Sequence, residues 1–175
     1  MANSTIIGKI KNKIIREFIS DDTIVKAIDS HNPKVKEPED LIYTHIFDFN
    51  QNPYTLKDVQ TFITIQVHIP EDHSFNNVER KSYVHPTIEI WITSHENHMK
   101  VDNIPKITQN RNDYLSHLID KKLNGADGYG IGKLQLLSNK EFSYESDYVC
   151  RTLVFSGTDL NNSLCIDEDD ENIEL

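Results

Sequence analysis

The sequence predicts an α+β domain: an antiparallel sheet of about four strands backed by two helices, with a projecting loop or hairpin and a flexible acidic C-terminal tail. Three observations carry this prediction. Apolar residues recur at three- and four-residue spacing near the N-terminus and again around residues 111–123, which sets them along helical stripes. They alternate with polar residues in two central segments, the period-two mark of strands with one buried face. The last fifteen positions, 161–175, hold six acids and no base. At 175 residues and 37% hydrophobic, the chain is sized for one domain with a real core and is short for two. The predicted organisation is a single domain over residues 1–160, with a helical region at 1–30, a projecting segment at 70–86, and a tail at 161–175.

Taken in order, Ile7, Ile10, Ile14, Ile15 and Phe18 make the first stripe, with Ser4 placed to cap it. The acidic break Asp21-Asp22 can open a second helical turn carrying Ile24, Val25 and Ile28. Lys9, Lys11, Lys13 and Arg16 then form a solvated face opposite a packed stripe, a better reading than a membrane-surface helix. Residues 31–54 are a long connection rich in Pro, Asn and Asp, with room for one short strand in LIYTHIFDF. In VQTFITIQVHI, Ile63, Ile65, Val67 and Ile69 alternate with Thr64, Gln66 and His68. In TIEIWITS, Ile88, Ile90 and Ile92 oppose Glu89, Trp91 and Thr93, and the two strands are expected to pair. The polar segment between them is longer than an ordinary hairpin turn and should project. NRNDYLSHLIDKKLNG is the clearest helix, with Tyr114, Leu115, Leu118, Ile119 and Leu123 as its stripe and Lys121 and Lys122 at the dipole's negative end. KLQLLS reads as a short strand and YVCRTLVFSG as a longer one with both faces partly covered.

The glycine-rich stretch NGADGYGIGK is not a phosphate cradle. Such a cradle follows a strand and opens a helix, whose unpaired amides hold the anion; here the glycines follow a helix and precede a strand. Gly125 is expected to end the helix in the left-handed region, while Gly128, Gly130 and Gly132 permit a turn that presents Tyr129 at its tip. His95 and His98 form an HxxH pair, but it lies after a strand with no third ligand fixed by spacing, so both are expected as exposed loop residues. Cys150 falls inside a strand, where a small buried hydrophobe is the ordinary role. With Cys165 it is too little for a disulfide framework, and reduced thiols are expected. No hydrolase, metalloprotease, calcium-loop or kinase pattern occurs. The expectation is a non-enzyme with no catalytic residue, metal or cofactor. Net charge −10 argues against general nucleic-acid binding, and no apolar run reaches the length of a membrane span. An intracellular, soluble protein is expected.

The order of elements, and above all TIEIWITS followed by NRNDYLSHLIDKKLNG and the return strand YVCRTLVF, resembles the tail terminator and neck or tail-completion proteins of tailed bacteriophages. The resemblance covers residues 58–159. It implies a four-stranded antiparallel sheet backed by two helices, and a hexameric ring that caps the tail tube and joins it to the head connector. Its implied partners are further copies of the chain, the tail tube or sheath protein and a head-completion or connector protein, with DNA passing through unbound and no membrane. The implied location is the neck of the virion, after assembly in the host cytoplasm. Candidate contact residues are Phe75 and Arg80 in the projecting segment, Tyr129 at the loop tip, and the tail acids Asp167, Glu168, Asp169, Asp170 and Glu171. Two rival readings stand beside it: a non-enzymatic adaptor or inhibitor that engages a basic partner through the acidic tail, and, third, a small metal-dependent enzyme using the eight histidines.

Overall fold

The N-terminal stripe folds as α1 (Ser4–Ile19), and Asp21 starts α2 (Asp22–Ile28) by accepting hydrogen bonds from the amides of Thr23 and Ile24 at 3.0 and 3.4 Å. These elements belong to a computed structural model that describes residues 4–56, 60–68, 86–144 and 147–157. The long connection holds 3₁₀ turns at Pro38–Leu41 and Pro53–Thr55 and the two-residue strand β1 (Ile46–Phe47). β2 (Thr61–His68) and β3 (Thr87–His95) pair antiparallel as expected, Ile63 facing Ile92 and Ile65 facing Ile90. A 3₁₀ turn, Glu96–His98, leads on toward α3 (Arg111–Leu123), which is followed by β4 (Leu134–Tyr144) and β5 (Tyr148–Gly157).

The sheet is five-stranded in the order β1-β2-β3-β5-β4, with β1 parallel to β2 and the other neighbours antiparallel. The α+β class is as predicted, but with five strands and three helices among the described residues where four and two were expected. The extra strand is only two residues long and falls within LIYTHIFDF, where the sequence left room for one short strand. β4 also corrects the expectation of a short strand: it runs eleven residues, because NKEFSY, too polar to look buried, continues it as one arm of a hairpin with β5.

Alternation places Ile63, Ile65 and Val67 of β2, Ile88, Ile90 and Ile92 of β3, and Leu153 and Phe155 of β5 on one face, where they form a single core with the stripes of α1, α2 and α3. Ile14, Phe18, Ile24, Leu115 and Ile119 are each 0% exposed there, and each such side chain contributes about 1.5–3 kcal/mol. The opposite face bears Phe62, packed with Phe47 and Leu56, and Cys150, buried as the sequence suggested. Gly125 ends α3 with φ 83°, and Gly128, Gly130 and Gly132 also take positive φ. Gly157 is required for a different reason: a Cβ there would sit 2.1 Å from the backbone oxygen of Ile131. Phe75, Arg80, Asp167, Glu168, Asp169, Asp170, Glu171 and Cys165 lie outside the described residues, as do all of the expected tail and nearly all of the projecting segment.

Candidate functional site

The densest polar cluster lies where the end of α2 meets the start of α3. Asn110 caps α3 by accepting from the amide of Asp113 at 2.8 Å, which turns Arg111, the first helical residue, inward. Arg111 is 1% exposed. Its Nε donates to the His98 carbonyl at 2.7 Å, Nη1 to the Ala27 carbonyl at 2.6 Å, and Nη2 to the Lys100 carbonyl at 2.8 Å and Asp29 Oδ2 at 3.0 Å. Four donations from one planar fork tie α2, the 3₁₀ turn and α3 together. Asp29 reaches this position because it takes left-handed backbone angles, φ 54° and ψ 57°, just past α2, a conformation that Asp tolerates better than most side chains.

A second line of polar side chains runs into the same cluster. Asn112 Nδ2 donates to the Val149 carbonyl at 2.9 Å, and Ser94 Oγ donates to Asn112 Oδ1 at 2.7 Å. Thr61 Oγ1 lies 2.9 Å from Ser94 Oγ and 2.7 Å from His98 Nδ1. His98 Nε2 in turn lies 3.3 Å from Asp29 Oδ2, and the exposed His31 ring meets the His98 ring edge-on at 5.4 Å. Burial, followed by the Arg111 charge, holds the His98 imidazole below its ordinary pKa, and burial pushes that of nearby His45 down to about 4. His98 is 7% exposed, which corrects its expected place among exposed loop histidines. Its HxxH partner His95 does not join it: that ring accepts from the Asn97 amide and meets the Tyr148 ring edge-on at 5.1 Å.

Elsewhere the chain presents edges. β4 lies at one margin of the sheet, and its bulge between Leu136 and Ser138 leaves Leu137 57% exposed, with Phe142 36% exposed further along. At the other margin, beside β1, Tyr43 and Phe49 are 61% and 46% exposed and stack at 6.5 Å. Cys150 offers no thiolate: burial pushes its thiol up to about 11.

A family profile named YomW matches residues 21–156, well over half of the chain. The chain belongs to the YomW family. YomW is the name of a protein from a Bacillus phage region, which makes the chain phage-related. A search of curated proteins returns no match. The YomW match starts at Asp21, the residue that caps α2, and takes in the whole Arg111 cluster and both margins of the sheet.

The match begins after α1, which nonetheless closes the glycine loop onto the YomW region. Tyr129, expected at an exposed tip, is 4% exposed. Its hydroxyl donates to Glu17 Oε2 at 2.5 Å, its ring lies 4.7 Å below Lys13 Nζ, and that amine donates to the Gly128 carbonyl at 2.7 Å. The loop tip is therefore turned inward onto α1, because an amphipathic Tyr between a carboxylate and an ammonium satisfies both its ring and its hydroxyl. Arg111, Asn112 and Asp29 carried no signal in the sequence, since charged and amide residues at a helix start read as solvated caps.

Proposed function

We propose that this YomW-family chain is a non-enzymatic structural subunit of the phage particle, acting at the neck as a tail terminator or adjacent tail-completion subunit and assembling as a ring. The observation that carries the reading is the pair of sheet margins. β4 offers an eleven-residue edge strand with Leu137 and Phe142 outward, and the β1 side offers the Tyr43–Phe49 stack. A long edge is a template for strand addition. A head-to-tail ring needs two different adhesive surfaces on each copy, and closure of the ring spares the assembly from running on as a fibre. Opposite margins of one sheet meet that need, and the phage-related family supplies the setting. The net charge of −10 suits a wall past which DNA slides without adhering. Six copies is the number in the proteins that the sequence resembles; tail tube or sheath protein and a connector are the partners, and Phe75, Arg80 and the tail acids Asp167, Glu168, Asp169, Asp170 and Glu171 are further contacts.

Multi-angle light scattering on the purified chain, alone and mixed with tail-tube protein, tests this. Ring-sized species are expected, and Leu137→Glu, at a position 57% exposed, should return them to monomers while the fold is kept. A chain that stays monomeric in both settings and captures a basic partner through residues 161–175 would replace the reading with that of an adaptor or inhibitor.

A further inference from the structure

The relay that ends at Asp29 fixes where its protons lie. Asn112 donates its amide nitrogen to the Val149 carbonyl, so its oxygen faces Ser94 and takes the single Ser94 hydroxyl proton. Ser94 Oγ can then only accept from Thr61, which uses the single proton of Thr61. Thr61 Oγ1 in turn can only accept, so His98 Nδ1 carries a hydrogen. His98 Nε2 is thus the ring nitrogen left to hold a cation, and it lies 3.3 Å from a carboxylate oxygen of Asp29.

The surroundings supply the rest of a coordination sphere. His31 is exposed, and its nitrogens have no hydrogen-bond partner among the described residues. One ligand atom from each of Asp29, His31 and His98 lies within 4.8 Å of the others. The Asp29 oxygen nearest His98 is Oδ2, which also accepts from Arg111 and keeps a lone pair for an ion. Tetrahedral zinc with bonds of about 2.0–2.1 Å needs ligand atoms about 3.3 Å apart. The His98–Asp29 separation already meets this, and only the exposed His31 ring has to swing inward. The Nδ1–H bond to Thr61 Oγ1 holds the His98 ring as the outer hydrogen bonds of metal-bound imidazoles do. Arg111, held by three carbonyls as well as by Asp29, orients the carboxylate from behind.

We propose that Asp29, His31 and His98 bind one divalent transition-metal ion, zinc by its donor set, with water as the fourth ligand. The ion is structural: it clamps the end of α2 to the turn before α3. A second proton on His98 Nε2 is the competing occupant, but it uses two of the three donors and leaves His31 without a part.

Cobalt(II) serves as the probe, added to untagged full-length chain. The expected result is a tetrahedral visible absorption band that saturates at one equivalent and is abolished by zinc. His31→Ala, at an exposed position that leaves the buried relay whole, should weaken cobalt binding at least tenfold. A 100-fold excess of zinc over its dissociation constant should raise the melting temperature of the wild type by about 7 °C, and that rise should vanish in His31→Ala. The proposal is overturned by absence of the band, by equal affinity in wild type and His31→Ala, or by a nitrogen-15 spectrum in which His98 Nε2 keeps a proton at saturating zinc. Oligomer formation is read separately, so a ring without zinc or zinc without a ring distinguishes the two readings.

Discussion

Arg111 has a larger share in the fold than its sequence position suggests. It is a full charge at 1% exposure, yet it makes four donations, three to carbonyls and one to the Asp29 carboxylate. Replacing it with Met strands three carbonyls and Asp29, and breaking a buried pair from one side costs about 3–5 kcal/mol. Arg111→Lys should recover little, since an ammonium cannot reach around the same fork. Denaturant unfolding of both variants checks this, and a Lys variant as stable as wild type would contradict it. His45 gives the fold an acid limit. Its burial lowers its pKa to about 4, against 6.5 in the unfolded chain, so below pH 6.5 the unfolded state binds the proton more readily. Stability from this residue is complete above about pH 6.5, declines as pH falls, and levels off below about 4, a total on the order of 3 kcal/mol. The melting temperature of His45→Gln should accordingly fall less steeply than that of wild type between pH 7 and 4.5; parallel curves would refute the assignment.

At the scale of elements, α1 and the glycine loop hold each other. The periodicity of α1 and α3 and the alternation of β2 and β3 were legible because each signal is local: a stripe or a zigzag can be read within a dozen residues. What joins the elements was not legible. Tyr129 meets Glu17 across 112 positions and Lys13 Nζ reaches Gly128 across 115, and no window of sequence spans such pairs. A tyrosine among glycines reads as a displayed tip until the carboxylate that takes its proton is in view. Tyr129→Phe keeps the ring beneath Lys13 but leaves Glu17 without its donor, a loss of about 1.5 kcal/mol, the low end for a bond to a charged group because Glu17 is partly exposed. A fall in melting temperature of about 3–6 °C is expected by calorimetry, and an unchanged transition would mean the loop is held by its ring contacts alone.

Across the whole molecule, the class of fold followed from the pattern of segments, whereas the candidate site did not. Asp29, Thr61, Ser94, His98 and Arg111 lie on separate elements, and each alone resembles a cap, a turn or a solvated charge. Their meaning arises only when α2, β2, β3 and α3 converge. The strand order has a consequence for synthesis. β5, the last strand described, is inserted between β3 and β4, so both of those wait for it. A ribosome that has finished β4 has released a chain whose sheet can be no more than β1 with the β2–β3 hairpin. Residues 134–144 then have no strand to pair with until Tyr148–Gly157 emerges. Premature termination before that point should yield no half-built intermediate worth keeping, only a nascent polypeptide with a bare apolar flank for chaperones to hold.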